Sequence, residues 1–171
     1  KSLKNKNYEN NFRKKFKRIN KGGRYILGKN VNIFEKKLAD YCNAKYCVAV
    51  GNCVDAMKIT FMAYKIMGSM KDGDEVLVPA NTYIASILGI TSVNLKPVFV
   101  EPEYDTFNIS VANIKKLISK KTKAILPVHL TGRMSNMIEV MKIAKDHDLK
   151  VIEDAAQAIG SKLNNKHAGT Y

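Results

Sequence analysis

The sequence predicts an α/β fold: three layers, with a mostly parallel sheet between helices on both faces. Three observations point there. Short apolar runs bounded by turn residues recur at residues 46–50, 75–79, 97–101, 123–130 and 150–154. Segments with helical apolar spacing lie between them, so strand and helix alternate. The intervening helices are long enough for crossovers rather than hairpins, which favours parallel pairing.

The elements follow in order. Tyr8, Phe12, Phe16 and Ile19 are spaced four, four and three apart, a helix stripe expected to face a core with Lys and Arg on the wet side. Gly22 to Gly28 is a glycine-bounded loop. Asn30 or Asn32 is expected to cap the next helix, whose apolar face is Ile33, Phe34, Leu38 and Tyr41. After the strand at 46–50, Gly51-Asn52 breaks the chain, and Val54, Met57, Phe61 and Tyr64 read as a helix. The strand at 75–79 leads to a helix over about 83–93 with Ile84, Ile87, Leu88 and Thr91 on one face. Ser110 is placed to cap a helix bearing Val111, Ile114, Leu117 and Ile118. Residues 134–147 form a further amphipathic helix with Ile138, Met141, Ile143 and Ala144. Asn164-Asn165-Lys166 marks a hairpin turn after the last strand of the sheet.

Charge is the unusual feature of the composition. The 171 residues carry 29 basic and 15 acidic side chains, net +14. Residues 1–37 hold 13 Lys or Arg against Glu9 and Glu35, net +11, and residues 38–171 are only +3. Residues 1–37 therefore read as a basic helix and loop, and 38–171 as the α/β domain. The basic stretch reads as a solvated helix face rather than a nucleic-acid module. No run approaches the ~18 apolar residues of a membrane span, and the first twenty residues are polar and basic, without the apolar region of a secretory signal. Cys42, Cys47 and Cys53 are odd in number and lack metal-ligand spacing, so they read as reduced thiols of a cytoplasmic protein with no metal site.

Candidate chemistry sits at the carboxyl ends of the strands, where open α/β sheets bind ligands. Gly51-Asn52-Cys53 opens a helix, and its free N–H groups and dipole suit an anion, most simply a phosphate. It is neither a P-loop nor a GxGxxG turn. Tyr83, at a helix start on the same rim, is able to stack on a flat ring or simply to pack in the interface. His129 and Arg133 leave the sheet together. Asp154 ends a buried strand, with Gln157 three residues on. Glu153 and Asp154 point to opposite sides of that strand. An acid followed by an amide fits a partly cationic aromatic ring that carries an oxygen, such as a pyridinium cofactor.

Six segments in order, GRYILG, AVGNCVDAM, EVLVPANTYIAS, PVFVEPEYDTFNI, ILPVHLTG and VIEDAAQAIGS, span nearly all of residues 22–171. Together they resemble the DegT/DnrJ/EryC1/StrS family of sugar aminotransferases, which use pyridoxal 5'-phosphate (PLP). The resemblance implies the large domain of the aspartate aminotransferase class, fold type I. It implies Asn52 and Cys53 at the cofactor phosphate, Tyr83 on the pyridine ring, Asp154 on the ring nitrogen and Gln157 on the phenolic oxygen. It places Tyr25 near a sugar nucleotide, and His129 and Arg133 on the rim, one a weaker catalytic candidate and the other a substrate contact.

The variants GN-x-x-DA and NTYIAS resemble the branch that aminates C-3 of dTDP-3-keto-6-deoxyhexoses, with L-glutamate as donor, in a cytoplasmic homodimer. The sequence departs from the family pattern at Cys53, where a small residue is usual, and at Thr131, where Tyr is common. The family's Schiff-base lysine, in a Ser-x-x-x-x-Lys-like motif, is expected just past residue 171 and is not present in the chain. Lys162 and Lys166 flank a turn and read as solvated. The chain is accordingly expected to be inactive by itself and to lack the C-terminal small domain. The alternatives are a truncated non-catalytic domain and a sugar dehydratase of the same family.

Overall fold

The computed structural model describes residues 6–171. They form two units: the described part of Lys1–Tyr41 with Lys45–Ala49, and Cys42–Ala44 with Val50–Tyr171.

The first unit is built on α1 (Lys6–Gly22) and most of α2 (Lys29–Cys42). On α1, Arg13 donates to Glu9 one turn away at 2.9 Å. The apolar stripe does not face a core as expected: Tyr8, Phe12 and Phe16 are 77%, 69% and 54% exposed. Phe12 and Phe16 cover one another, ring centroids 6.1 Å apart. Amphipathic spacing fixes that a helix has an apolar side but not that anything lies against it. The second helix starts before its predicted caps, so Asn30 and Asn32 fall inside its first turn, and none of its residues is buried.

Residues 46–50 form no strand, against expectation. The Ala49 amide donates instead to Glu35 Oε1 at 2.8 Å. A short apolar run becomes a strand only beside a second backbone, and no ladder partner reaches it among the described residues.

The second unit carries a four-stranded parallel sheet: β1 (Glu75–Pro79), β2 (Lys96–Val100), β3 (Thr122–Ile125) and β4 (Lys150–Val151), in the order β2-β1-β3-β4. Period-two alternation divides the central strand between two cores. Val76 and Val78 pack with Met57 and Phe61 of α3 (Cys53–Ile66) and Ile90 of α4 (Ile84–Thr91). Leu77 packs with Ile114 of α5 (Val111–Leu117) and with Met137, Val140 and Ile143 of α6 (Met137–Asp146). Helices thus cover both faces of a parallel sheet, as the sequence predicts.

The helix faces are partly different from those expected. On α4 the buried residues are Ser86, Gly89 and Ile90, while Ile84 and Leu88 are exposed. The two helices on this face approach closely: a Cβ on Gly89 would lie 2.8 Å from the Cβ of Met57. Close approach selects the face with small residues over the more apolar one. On α6, Met137 and Val140 are buried and Ile138 is exposed.

The last two sheet strands are shorter than predicted. Beyond Ile125 the chain stays extended through single links, Leu126 N–H to Leu77 O at 2.8 Å and a lone bridge between Val128 and Asp154. The predicted hairpin is present as β5 (Lys162–Leu163) and β6 (Lys166–His167). Its two loop residues, Asn164 and Asn165, have φ of 49° and 62°, the left-handed pair that a tight hairpin turn requires.

Candidate active site

The connection after β1 leads outward to β2 on one side, while β3 and β4 lie on the other. The strand order therefore reverses between β1 and β3, which opens a crevice at their carboxyl ends. A cavity of about 310 Å³ lies there. Asn52 and Cys53 line it from the start of α3, Tyr83 and Ser86 from α4 and the turn before it, and Asp154 and Gln157 from the chain beyond β4.

The start of α3 is capped by its own sequence. The Asn52 side chain accepts from Asp55 N at 2.9 Å and donates to Asp55 Oδ2 at 2.8 Å. Gly51 lies beside this pair, and a Cβ there would meet Asp55 Oδ2 at 2.9 Å, so the Asp55 carboxylate would have to shift to admit one. The cap leaves the first amides of a fourteen-residue helix at the cavity, an arrangement suited to an anion.

Asp154 is 8% exposed and accepts three hydrogen bonds. Ser86 Oγ donates to Oδ2 at 2.9 Å, while Ala156 N and Cys53 Sγ donate to Oδ1 at 3.2 and 3.7 Å. Among the described residues no cationic side chain pairs with it. A buried carboxylate is stabilised by donors or by positive charge. This one has neutral donors only and borders a cavity, so it is complementary to a ligand cation. Burial, then the charge of Asp154 and its hydrogen bond, push the Cys53 thiol up to about 11. The sulfur is therefore a protonated donor, not a nucleophile.

Gln157 Oε1 accepts from Thr131 N at 2.8 Å. That bond fixes the amide orientation and leaves the NH2 group as the donor. Tyr83 stands at the start of α4, 74% exposed, on the rim of the cavity.

The other candidates lie elsewhere. His129 is fully buried and outside the cavity lining. Its Nδ1 accepts from Ser135 N at 3.2 Å and its Nε2 meets Glu153 Oε2 at 2.8 Å. Arg133 reaches Asp105 O at 3.4 Å and lines a separate depression with Asn108 and Ser135. Tyr25 belongs to the first unit, where it lines an open cavity of about 470 Å³ with Arg18, Arg24 and Lys29.

Ser86 and Thr82 are the residues that sequence reasoning missed. Thr82 Oγ1 and Ser86 Oγ are 2.9 Å apart, and Ser86 passes the link to Asp154. The signal was a serine on the inward, small-residue face of a helix whose bulky face looked like the core.

A family model for the DegT/DnrJ/EryC1/StrS aminotransferase family matches residues 6–171. The chain belongs to this family. It is 46% identical over 166 residues, 97% of its own length and 45% of the relative's, to dTDP-3-amino-3,6-dideoxy-alpha-D-galactopyranose transaminase of Aneurinibacillus thermoaerophilus. It matches the crystal structure of S. venezuelae DesV in complex with a ketimine intermediate at a TM-score of 0.83 and 37% identity, covering 90% of this chain and 40% of that one. E. coli GDP-4-keto-6-deoxy-D-mannose-3-dehydratase with bound hydrated PLP matches at 0.84 and 29%, covering 91% and 40%. The chain thus spans less than half the length of the curated relatives it matches. The α/β fold with a parallel sheet is that of these PLP-dependent enzymes.

Proposed function

We propose that this chain supplies the cofactor cradle of a PLP-dependent nucleotide-sugar aminotransferase. The full-length enzyme transfers the amino group of L-glutamate to a nucleotide-linked keto-deoxysugar, of which a dTDP-3-keto-6-deoxyhexose is the specific candidate. The observation that carries the reading is Asp154, a buried carboxylate without a cationic partner among the described residues, on the wall of a cavity that a helix N-terminus also lines. A cavity that offers both helix amides for an anion and a carboxylate for a cation suits a phosphorylated pyridine.

When bound, PLP supplies an electron sink for the bond changes of amino transfer. The chain's own residues have distinct tasks. The first amides of α3, held by the Asn52 cap, take the phosphate. Asp154 keeps a proton on the ring nitrogen by placing negative charge beside it. The Gln157 NH2 group donates to the phenolic oxygen, its orientation fixed by Thr131. Tyr83 covers one face of the ring. Arg18, Arg24 and Lys29 give the cavity beside Tyr25 the positive charge that a sugar nucleotide's phosphates need.

A sugar dehydratase is the second reading, favoured by the likeness to the GDP-4-keto-6-deoxy-D-mannose-3-dehydratase structure. One experiment separates the two. The full-length protein is incubated with PLP, L-glutamate and dTDP-3-keto-6-deoxyhexose, and the products are resolved by mass spectrometry. An amino sugar with one equivalent of 2-oxoglutarate supports the transaminase. Loss of water from the sugar supports the dehydratase. Failure to take up PLP overturns both.

A further inference from the structure

The hydrogen bonds at Asp154 are unevenly distributed between its two oxygens. A carboxylate has about four acceptor positions, two on each oxygen. Oδ1 accepts from the Ala156 amide at 3.2 Å and from Cys53 Sγ at 3.7 Å, which fills it. Oδ2 accepts from Ser86 Oγ alone, at 2.9 Å, among the described residues. Ser86 has one proton, so its other contact, Thr82 Oγ1 at 2.9 Å, must donate to it. The chain from Thr82 through Ser86 to Asp154 therefore runs in one direction, and each hydroxyl polarises the next.

We propose that Cys53 and Ser86 are positioning residues that fix the plane of the Asp154 carboxylate and leave Oδ2 as the atom that receives the cofactor's ring nitrogen. This rests on the reading of the cavity as a PLP site. Cys53 is the informative member, because it stands where the family pattern has a small residue without a donor. In this chain the thiol occupies an acceptor position that would otherwise be open to solvent or to the cofactor. Its reach comes from the first turn of α3, so the helix whose amides suit the phosphate also holds the acid. Ser86 acts from the second helix on the same face, 1% exposed and unable to turn toward water. Neither residue is assigned a contact with the reacting atoms.

The test uses the full-length protein loaded with PLP labelled with nitrogen-15 in the ring. Two quantities are measured: the PLP dissociation constant and the ring-nitrogen resonance. Cys53→Ala and Ser86→Ala are each expected to weaken PLP binding about three- to tenfold, the net effect of one lost hydrogen bond. Each is also expected to move the resonance toward that of an unprotonated pyridine. Cys53→Ser restores a donor at the γ position and is expected to bring both quantities back toward wild type. A Cys53→Ala protein with wild-type affinity and resonance overturns the positioning role, as does a Cys53→Ser protein that behaves like Cys53→Ala. Wild-type protein that binds no PLP overturns the cofactor reading itself, a result separable from the other two because it precedes any substitution.

Discussion

His129 and Glu153 meet at 2.8 Å with both side chains withdrawn from solvent. The pair ties two segments together. Glu153 also accepts from the amides of Gly169 and Tyr171, and the His129 amide donates to the Asp154 carbonyl at 3.1 Å. One carboxylate thus anchors the segment after the hairpin, while its histidine partner holds the backbone on which Asp154 sits. Burial pushes the Glu153 carboxyl up, but hydrogen bonds from His129 and from the Tyr171 and Gly169 amides outweigh it, and the group ends below its ordinary value. Its folded-state pKa being depressed, the stabilisation is fully present above the unfolded pKa and is lost as pH falls through the folded one. Urea unfolding followed from pH 7 into the acid range is expected to show declining stability in wild type. Glu153→Gln is expected to be less stable at pH 7, by about 1–3 kcal/mol, and to show a smaller decline.

The Cys53 thiol gives a direct readout of the acid beside it. With its pKa pushed to about 11, alkylation at pH 8, followed by mass spectrometry of the Cys53 peptide, should be slow. A shift from 9.0 to about 11 removes about a hundredfold of the reactive thiolate. Asp154→Asn removes the charge, the second cause of the shift, and leaves burial and an acceptor oxygen, so alkylation is expected to accelerate. An unchanged rate would show that Asp154 does not govern the thiol.

Asp154→Asn is also expected to reduce PLP retention in the full-length protein and to abolish amino-sugar formation. An amide presents no negative charge to hold a proton on the ring nitrogen. Equilibrium dialysis with PLP and a coupled assay for 2-oxoglutarate measure the two effects separately. Retention of full activity would contradict the assigned role.

Gly89→Ala tests the close approach of α3 and α4. The added methyl meets Met57 Cβ at 2.8 Å, an atom fixed to the backbone that cannot swing away. Overpacking of this kind costs about 1–3 kcal/mol, against a gain in helix propensity of at most about 1 kcal/mol. A lowered thermal midpoint is expected, together with weaker PLP binding, because Cys53 and Ser86 lie on the helices forced apart.

Asn52→Ala removes the α3 cap, at a cost of about 1 kcal/mol. It also frees Asp55, which would then bring an unpaired negative charge to the amides that take the phosphate. Affinity for PLP is expected to fall, and affinity for pyridoxal without the phosphate to change little. Equal loss for both ligands would place the anion site elsewhere.

The order of strands and helices beyond residue 50, the parallel sheet, the Ser110 cap and the hairpin turn were all legible in the sequence, because each rests on local spacing or on a single residue's backbone preference. Ser110 accepts from Asn113 N at 3.4 Å, and the two asparagines of the hairpin adopt the left-handed conformation that their side chains tolerate. Tyr83, Asp154 and Gln157 follow the ends of sheet strands, as expected, whereas Asn52 and Cys53 follow a segment that forms no strand, yet all five line one cavity. Which face of α4 turns inward was decided by tertiary structure alone: Gly89 permits an approach that Ile84 and Leu88 would block, and Ser86 is carried inside with it. Residues 46–50 and the stripe of α1 were misjudged for a related reason. Apolar spacing records a readiness to be covered, and only the neighbouring backbone or helix determines whether anything lies there. The sequence by itself also could not assign His129. A histidine at a strand end reads alike as catalyst or scaffold, until the buried carboxylate of Glu153 on one nitrogen and the Ser135 amide on the other show both of its ring positions engaged within the protein.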